Sequence, residues 1–290
     1  MKYALLTGAA VALAVYAPAH AADLGQRPVY KAAPPMLAPA PVFSWTGCYL
    51  GGHVGGGWGR KDISIPNLAT AAEIPPSEVT FSVPPVRDHT SGLVGGGQVG
   101  CNYQFATNWV IGVEGDGSAS GIRGDVSPPP VTFVNPPGGP FPPGPVPISS
   151  TLHAQTDWLA SITGRLGYSA GPWLFYAKGG VAWAGDKYAA DIPIFAEHLT
   201  ARETRTGWTV GGGVEWAFAT NWSAKIEYDF YDFGTRSVNL TGVFPGVGPS
   251  TFPAGPIAVP GVDIKQTMSV VKFGINYRFG WAGAPGAASY

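Results

Sequence analysis

The chain has 290 residues, with 17 Lys and Arg against 18 Asp and Glu and only 12% charged residues, so it offers no basic footprint for nucleic acid. Its hydrophobic fraction is 45%, yet beyond the N-terminus no run approaches the roughly 20 consecutive apolar residues of a membrane helix. A membrane protein without such helices has to be a closed barrel.

Residues 1–21, MKYALLTGAAVALAVYAPAHA, combine Lys2, an apolar run and the small-residue site Ala19-His20-Ala21, and read as an export signal cleaved after Ala21. Residues 22–42 are rich in Ala and Pro without periodicity, as in an extended periplasmic linker. The stretch 43–59, FSWTGCYLGGHVGGGWG, starts the barrel: Cys48, Leu50, Val54 and Trp58 share the outer parity, and Tyr49 and His53 point inward. Residues 60–90 read as a long loop. Strand two covers 91–105, and the turn Ala106-Thr107-Asn108 leads into strand three, with Trp109, Ile111 and Val113 outward. Asn108 is placed to take a left-handed conformation there.

The Pro-rich stretch inside 122–153 reads as a loop, because proline donates no ladder hydrogen bond. Strand four, 155–169, sets Trp158, Ile162, Leu166 and Tyr168 against Ser161, Thr163 and Arg165. Strand five, 173–185, follows the turn Ala170-Gly171-Pro172, and 186–204 form a third loop. Residues 207–233 alternate most clearly: Trp208, Val210, Val214, Trp216 and Phe218, then Trp222, Ile226, Tyr228 and Phe230, share the apolar face. Trp208 to Phe218 spans roughly 33 Å at about 3.3 Å per residue, or roughly 25 Å of height at a 40° tilt, which is the height of an outer-membrane apolar band. Its aromatic ends suit the two membrane interfaces. The turn sequence FATNW occurs twice, at 105–109 and 218–222. Residues 234–263 form a fourth loop, and strand eight covers 264–279.

The count is eight strands whose connections alternate long and short, as in an eight-stranded antiparallel transmembrane β-barrel with short periplasmic turns and long outer loops. Parity then gives the lumen five acids, Glu114, Asp116, Glu215, Glu227 and Asp229, and five bases, Arg165, Lys178, Lys225, Lys272 and Arg278. They read as ion pairs filling a narrow interior, with a small gated pore as the alternative. Cys48 and Cys101 fall near the periplasmic rim of adjacent strands on the same outer parity, within reach of a disulfide; two free thiols facing lipid are the alternative.

Three stretches, SWTGCYLGGHVGGGWG, GWTVGGGVEWAFATNWSAKIEYDFYDFG and VVKFGINYRF, resemble the small outer-membrane immunogenic proteins of alphaproteobacteria, the RopB-like group of OmpA-like eight-stranded barrels, over residues 43–279. The resemblance implies an abundant, surface-exposed protein with a role in envelope integrity and no catalytic residues or cofactors. The last strand also resembles the signal such barrels present to the outer-membrane assembly machinery, carried here by Lys272, Gly274, Tyr277 and Phe279. The chain departs from the family by its tail, residues 280–290, and by the two cysteines where aromatics are more usual.

The expected location is therefore the outer membrane of a Gram-negative bacterium, and the expected form a monomer. Its partners would be membrane lipid, lipopolysaccharide and the assembly machinery, with host proteins possible at the loops and no nucleic acid. Its role would be structural and immunogenic, against the alternatives of a porin-like channel, a host-binding adhesin or a lipid-modifying enzyme. An enzyme of that kind would pair His153 with Asp157 or His89 with Ser91. No His pair has metal-ligand spacing, and the glycines of GGHVGGGWG, with no helix after them, are strand glycines and not a phosphate loop.

Overall fold

The computed structural model describes residues 43–64, 86–129, 131–135, 144–192, 197–244 and 255–279. The export signal, the 22–42 linker and the 280–290 tail lie outside these residues. The described residues form ten strands: β1 (Gly47–Ser64), β2 (Val86–Phe105), β3 (Trp109–Val126), β4 (Val131–Asn135), β5 (Gly144–Ile148), β6 (Thr151–Ala170), β7 (Trp173–Ile192), β8 (Glu197–Ala217), β9 (Trp222–Phe244) and β10 (Gly255–Phe279). Eight of them close a ring in the order β1-β10-β9-β8-β7-β6-β3-β2, every neighbouring pair antiparallel, and β4 and β5 form a separate two-stranded ribbon.

The register fixes the stagger of the ring. Following the pairs from Arg60 through Thr267, Asp232, Trp208, Val181, Ile162, Gly115 and Val99 returns to β1 at Leu50, ten residues away from the start. Such a stagger requires tilted strands, and eight of them leave an interior that side chains can fill.

Two belts of outward aromatics mark the wall. Near the short turns stand Trp109 against Tyr168, Trp173 stacked on Trp216, and Trp222 against Tyr277, with ring centroids 5.7, 5.7 and 5.1 Å apart. Towards the long connections stand Trp58, Trp158 and Trp208, all exposed, and the half-buried Phe230. Between the belts the outer face is Leu, Val, Ile and Phe, and the inner face is polar.

Beyond the second belt this pattern inverts. Ile63, Ala154, Leu199, Val238, Val262 and Ile264 point inward and pack into a buried apolar cluster, and Arg60, Arg87, Arg202 and Lys265 point outward. The physical reason is a change of solvent: lipid outside favours apolar-out, water outside favours apolar-in.

The inversion corrects four expected loops. β1 and β2 extend to Ser64 and from Val86, β7 and β8 pair as far as Ile192 and Glu197, and β9 and β10 pair as far as Phe244 and Gly255. The 122–153 stretch likewise holds the ends of β3 and β6 and the β4–β5 ribbon, in which Thr132 opposes Pro147 and Val134 opposes Pro145. A two-stranded ribbon has a free edge on each strand, so prolines whose missing N–H faces outward are tolerated.

The repeated turn also needs correcting. Ala106 and Thr107, not Asn108, hold positive φ, at 45° and 67°, and Ala219–Asn221 turn without a left-handed residue.

Candidate functional site

The interior is built in layers. At the short-turn end, the segment preceding β1 folds under the barrel and places Trp45 inside, 1% exposed, among Val110, Leu174, Tyr176 and Ala217. Trp45 is held by its backbone N–H to Gln104 Oε1 (2.8 Å) and its indole N–H to the Gly171 carbonyl (3.3 Å). Arg278 stacks over the Phe43 and Trp45 rings, at 4.5 and 5.0 Å, and donates to the carbonyls of Ser44 and Thr220. It does not join the expected lumen network: its guanidinium lies at the mouth of the barrel, where carbonyls and rings take its charge.

The other nine expected charges do meet. Glu114 on β3 takes Lys178 from β7 at 3.2 Å, Lys225 from β9 at 3.1 Å and Arg165 from β6 at 3.5 Å, and accepts the Tyr49 hydroxyl from β1 at 2.6 Å. Lys178 also reaches Glu227 at 2.6 Å and Asp229 at 3.3 Å. Lys272 binds Asp116 at 2.8 Å and Asp229 at 2.9 Å, and Arg165 binds Glu215 at 2.9 Å. Alternation along each strand is what delivers these side chains: each lies on the inward parity of a strand whose other parity is apolar.

Neutral partners satisfy much of the remaining hydrogen-bonding capacity, although Arg165 Nε and Asp229 Oδ1 have no hydrogen-bond partner among the described residues. Asn276 and Ser223 donate to Glu215, at 2.8 and 2.6 Å. Tyr176 donates to Glu227 at 2.7 Å, and Ser161 donates to Asp116. His53 sits between Gln98 (2.5 Å) and Ser118 (2.7 Å), and Gln98 continues to Asn276 (2.7 Å).

Above this network comes an apolar layer of Val94, Ile122, Leu159, Ala182, Ala184, Phe233, Met268 and Val270. A second charged layer follows, in which Lys61 meets Asp186 at 3.1 Å and Arg205 meets it at 3.5 Å, with Thr156 and Gln266 also donating to Asp186. This layer was missed because it lies beyond the expected strand ends. Continuing the inward parity of Tyr49 and His53 along β1 would have reached Lys61.

On the outer wall, Cys48 and Cys101 are a direct cross-strand pair joined by a disulfide, with Cα atoms 3.9 Å apart. Of the assembly-signal residues, Lys272 points into the lumen, Gly274 lies inside against Gln98 and Lys225, and Tyr277 and Phe279 stand outward in edge contact at 5.1 Å.

The His pairs considered for catalysis are not assembled. His153 instead bridges Asp125 (2.6 Å) and Asp191 (3.1 Å), and Asp157 pairs with Lys187 at 2.6 Å. The Asp125 hydrogen bond raises the His153 imidazole above its ordinary value. Among the described residues, no group of His, Cys, Asp and Glu could hold a metal ion.

The family model described as outer membrane protein beta-barrel domain matches residues 7–279. The chain is 29% identical over 251 residues to the 31 kDa outer-membrane immunogenic protein of Brucella melitensis, covering 84% of this chain and 88% of that protein. It is 27% identical over 201 residues to a 22 kDa outer membrane protein of Rhizobium leguminosarum, covering 69% and 70%. The crystal structure of the outer membrane protease OmpT from Escherichia coli aligns at a TM-score of 0.45 and 9% identity, covering 83% of this chain and 99% of that one, a likeness too distant to carry an argument.

Proposed function

We propose that this chain, which belongs to the outer membrane protein beta-barrel family, is a closed, non-catalytic barrel that braces the bacterial outer membrane and carries surface-exposed, immunogenic loops. The short turns face the periplasm, and the water-exposed ladder beyond the second aromatic belt stands outside the cell.

One observation carries the reading. Glu114 is 1% exposed and ties β3 to β1, β6, β7 and β9 across the lumen. A carboxylate bound by three cations and a phenol has no free valence for a substrate, and moving it would leave several buried charges unpaired, at a cost of several kcal/mol each. Such a cross-brace resists opening and stiffens the wall. The Brucella relative is named an outer-membrane immunogenic protein, which supports the surface role.

The test is planar-bilayer recording on protein refolded in detergent, with heat-modifiable gel migration as the check of folding. Folded protein should show no discrete conductance steps. Regular steps from folded wild-type protein would replace the closed barrel with a channel.

A further inference from the structure

The outer wall at the height of the second aromatic belt is not uniform. On the face made by β10, β1, β2 and β3, three cations and a histidine project outward from four consecutive strands: Lys265, Arg60, His89 and Arg123. Arg60 and His89 are direct cross-strand partners. Arg123 pairs with Ser91, which puts it diagonal to His89, and Lys265 is likewise diagonal to Arg60. Three interstrand spacings separate the first strand from the last, roughly 15 Å.

Two of the outward acids of this face are engaged in ion pairs, and a third, Asp263, accepts the Ser237 hydroxyl. Asp62 pairs with Arg87 at 3.4 Å and Asp125 with His153. Among the described residues, Arg60, Arg123 and Lys265 have no ion-pair partner. A cleft of about 260 Å³ lies between Trp58 and Phe230, lined also by Gly59, Thr267, Met268 and Ser269, with Arg60 and His89 on its upper rim.

We propose that this face is a docking site for a phosphorylated saccharolipid of the outer leaflet, with Arg60, Arg123 and Lys265 on its phosphates and an acyl chain or sugar edge in the cleft between Trp58 and Phe230. This rests on the membrane orientation argued above. The vertical order is what selects the ligand: aromatic rings at membrane height, with Arg60 at the upper rim of the same cleft and Arg123 and Lys265 beside it, the same order as acyl chain and phosphate in a lipid. Several cations on adjacent strands suit a headgroup with more than one phosphate better than a single phosphodiester. On the wall made by β7, β8 and β9, Lys187 is neutralised by Asp157, while Arg202 and Arg236 are also exposed without an ion-pair partner among the described residues, which makes them the matched control.

The experiment is native mass spectrometry of the detergent-released full chain with added bisphosphorylated lipid A, monophosphorylated lipid A or phosphatidylglycerol. The variants are R60S/R123S and, as a control removing equal charge from β8 and β9, R202S/R236S; R123S alone gives an intermediate. Bound bisphosphorylated lipid A should fall about fivefold to tenfold in R60S/R123S and hold in the control. Wild type should prefer two phosphates to one, and either to phosphatidylglycerol. An equal loss in both double variants, or phosphatidylglycerol bound as well as lipid A, would overturn the proposal. Heat-modifiable migration and silent bilayers in every variant keep that failure separate from failure of the closed-barrel reading.

Discussion

Asn108 and Asn221 perform the same task in two turns of different backbone shape. Each donates its side-chain amide to the carbonyl near the end of the next strand, Asn108 to Ser169 at 2.7 Å and Asn221 to Arg278 at 2.8 Å. The same strand residues donate back through their amides, Ser169 to the Asn108 carbonyl at 2.6 Å and Arg278 to that of Asn221 at 2.7 Å. The asparagine is therefore a clamp between hairpins and not a supplier of left-handed backbone. Asn108→Gly and Asn221→Gly should each cost about 1 kcal/mol in urea titrations of refolding, as much as the alanine variants, because both lose the same hydrogen bond. Glycine behaving like wild type would favour the conformational explanation.

Glu114 is the lumen group whose removal should be felt most widely. Glu114→Gln leaves Lys178, Lys225 and Arg165 with less compensation in a buried site, and about 3 to 5 kcal/mol should be lost. Lys225→Met should be costly too, since Glu114 and Glu227 both lose a partner. The double variant E114Q/K225M should recover part of the summed loss, and a double-mutant cycle on urea midpoints reads that coupling directly.

Much of this frame could be read from residue order, for a specific reason. Between the aromatic belts the two solvents differ maximally, lipid against a packed polar lumen, so Trp208 to Phe218 against Thr209 to Glu215 alternates without ambiguity. Beyond Trp58 and Trp208 the outside becomes water and apolar residues move inward. Lys61, Asp186 and Arg205 then read as loop polarity although they are buried. Trp45 shares the inward parity of Tyr49 and His53, as its burial shows, but alternation could not tell that residues 43–46 leave the strand and fold under the barrel, where Phe43 and Trp45 take the Arg278 guanidinium away from the lumen charges.

The Cys48–Cys101 bond closes a loop with a sequence separation of 53 between the two most N-terminal barrel strands. Chain-entropy arguments assign such a closure about 4 kcal/mol, acting through the unfolded state. C48S/C101S should therefore refold to the same heat-modifiable barrel but lose up to that amount in urea. Wild-type protein treated with reductant while unfolded should match it. Equal midpoints with and without reductant, together with thiol labelling of untreated protein, would show the cysteines to be free.

His153 joins β3, β6 and β7 outside the membrane by accepting a place between Asp125 and Asp191. Its folded-state value is raised, chiefly by the Asp125 hydrogen bond. The stabilisation is thus fully present below the ordinary imidazole value of 6.5 and is lost as pH rises through the higher folded value. The site is solvent-exposed and the effect small. Protease nicking of the outer ladder should increase in wild type as pH rises above 6.5, and His153→Gln should flatten that dependence. An increase on acidification instead would contradict the sign.

Leu199 tests whether the ladder outside the membrane is a core in its own right. It is 2% exposed among Ala154, Tyr188, Val238, Val262 and Ile264, a cluster separated from the membrane-depth interior by the Lys61–Asp186–Arg205 layer. Leu199→Ala removes a buried isobutyl group, and large-to-small changes of this kind cost about 2 to 5 kcal/mol. The loss should be local, because the strands below are held by their own ion pairs and by lipid. Hydrogen exchange should accelerate in residues 197–204 and 235–244, with protection of 208–217 and 222–230 unchanged and heat-modifiable migration retained. Uniform loss of protection along β8 and β9 would mean that the two halves of the barrel unfold as one unit.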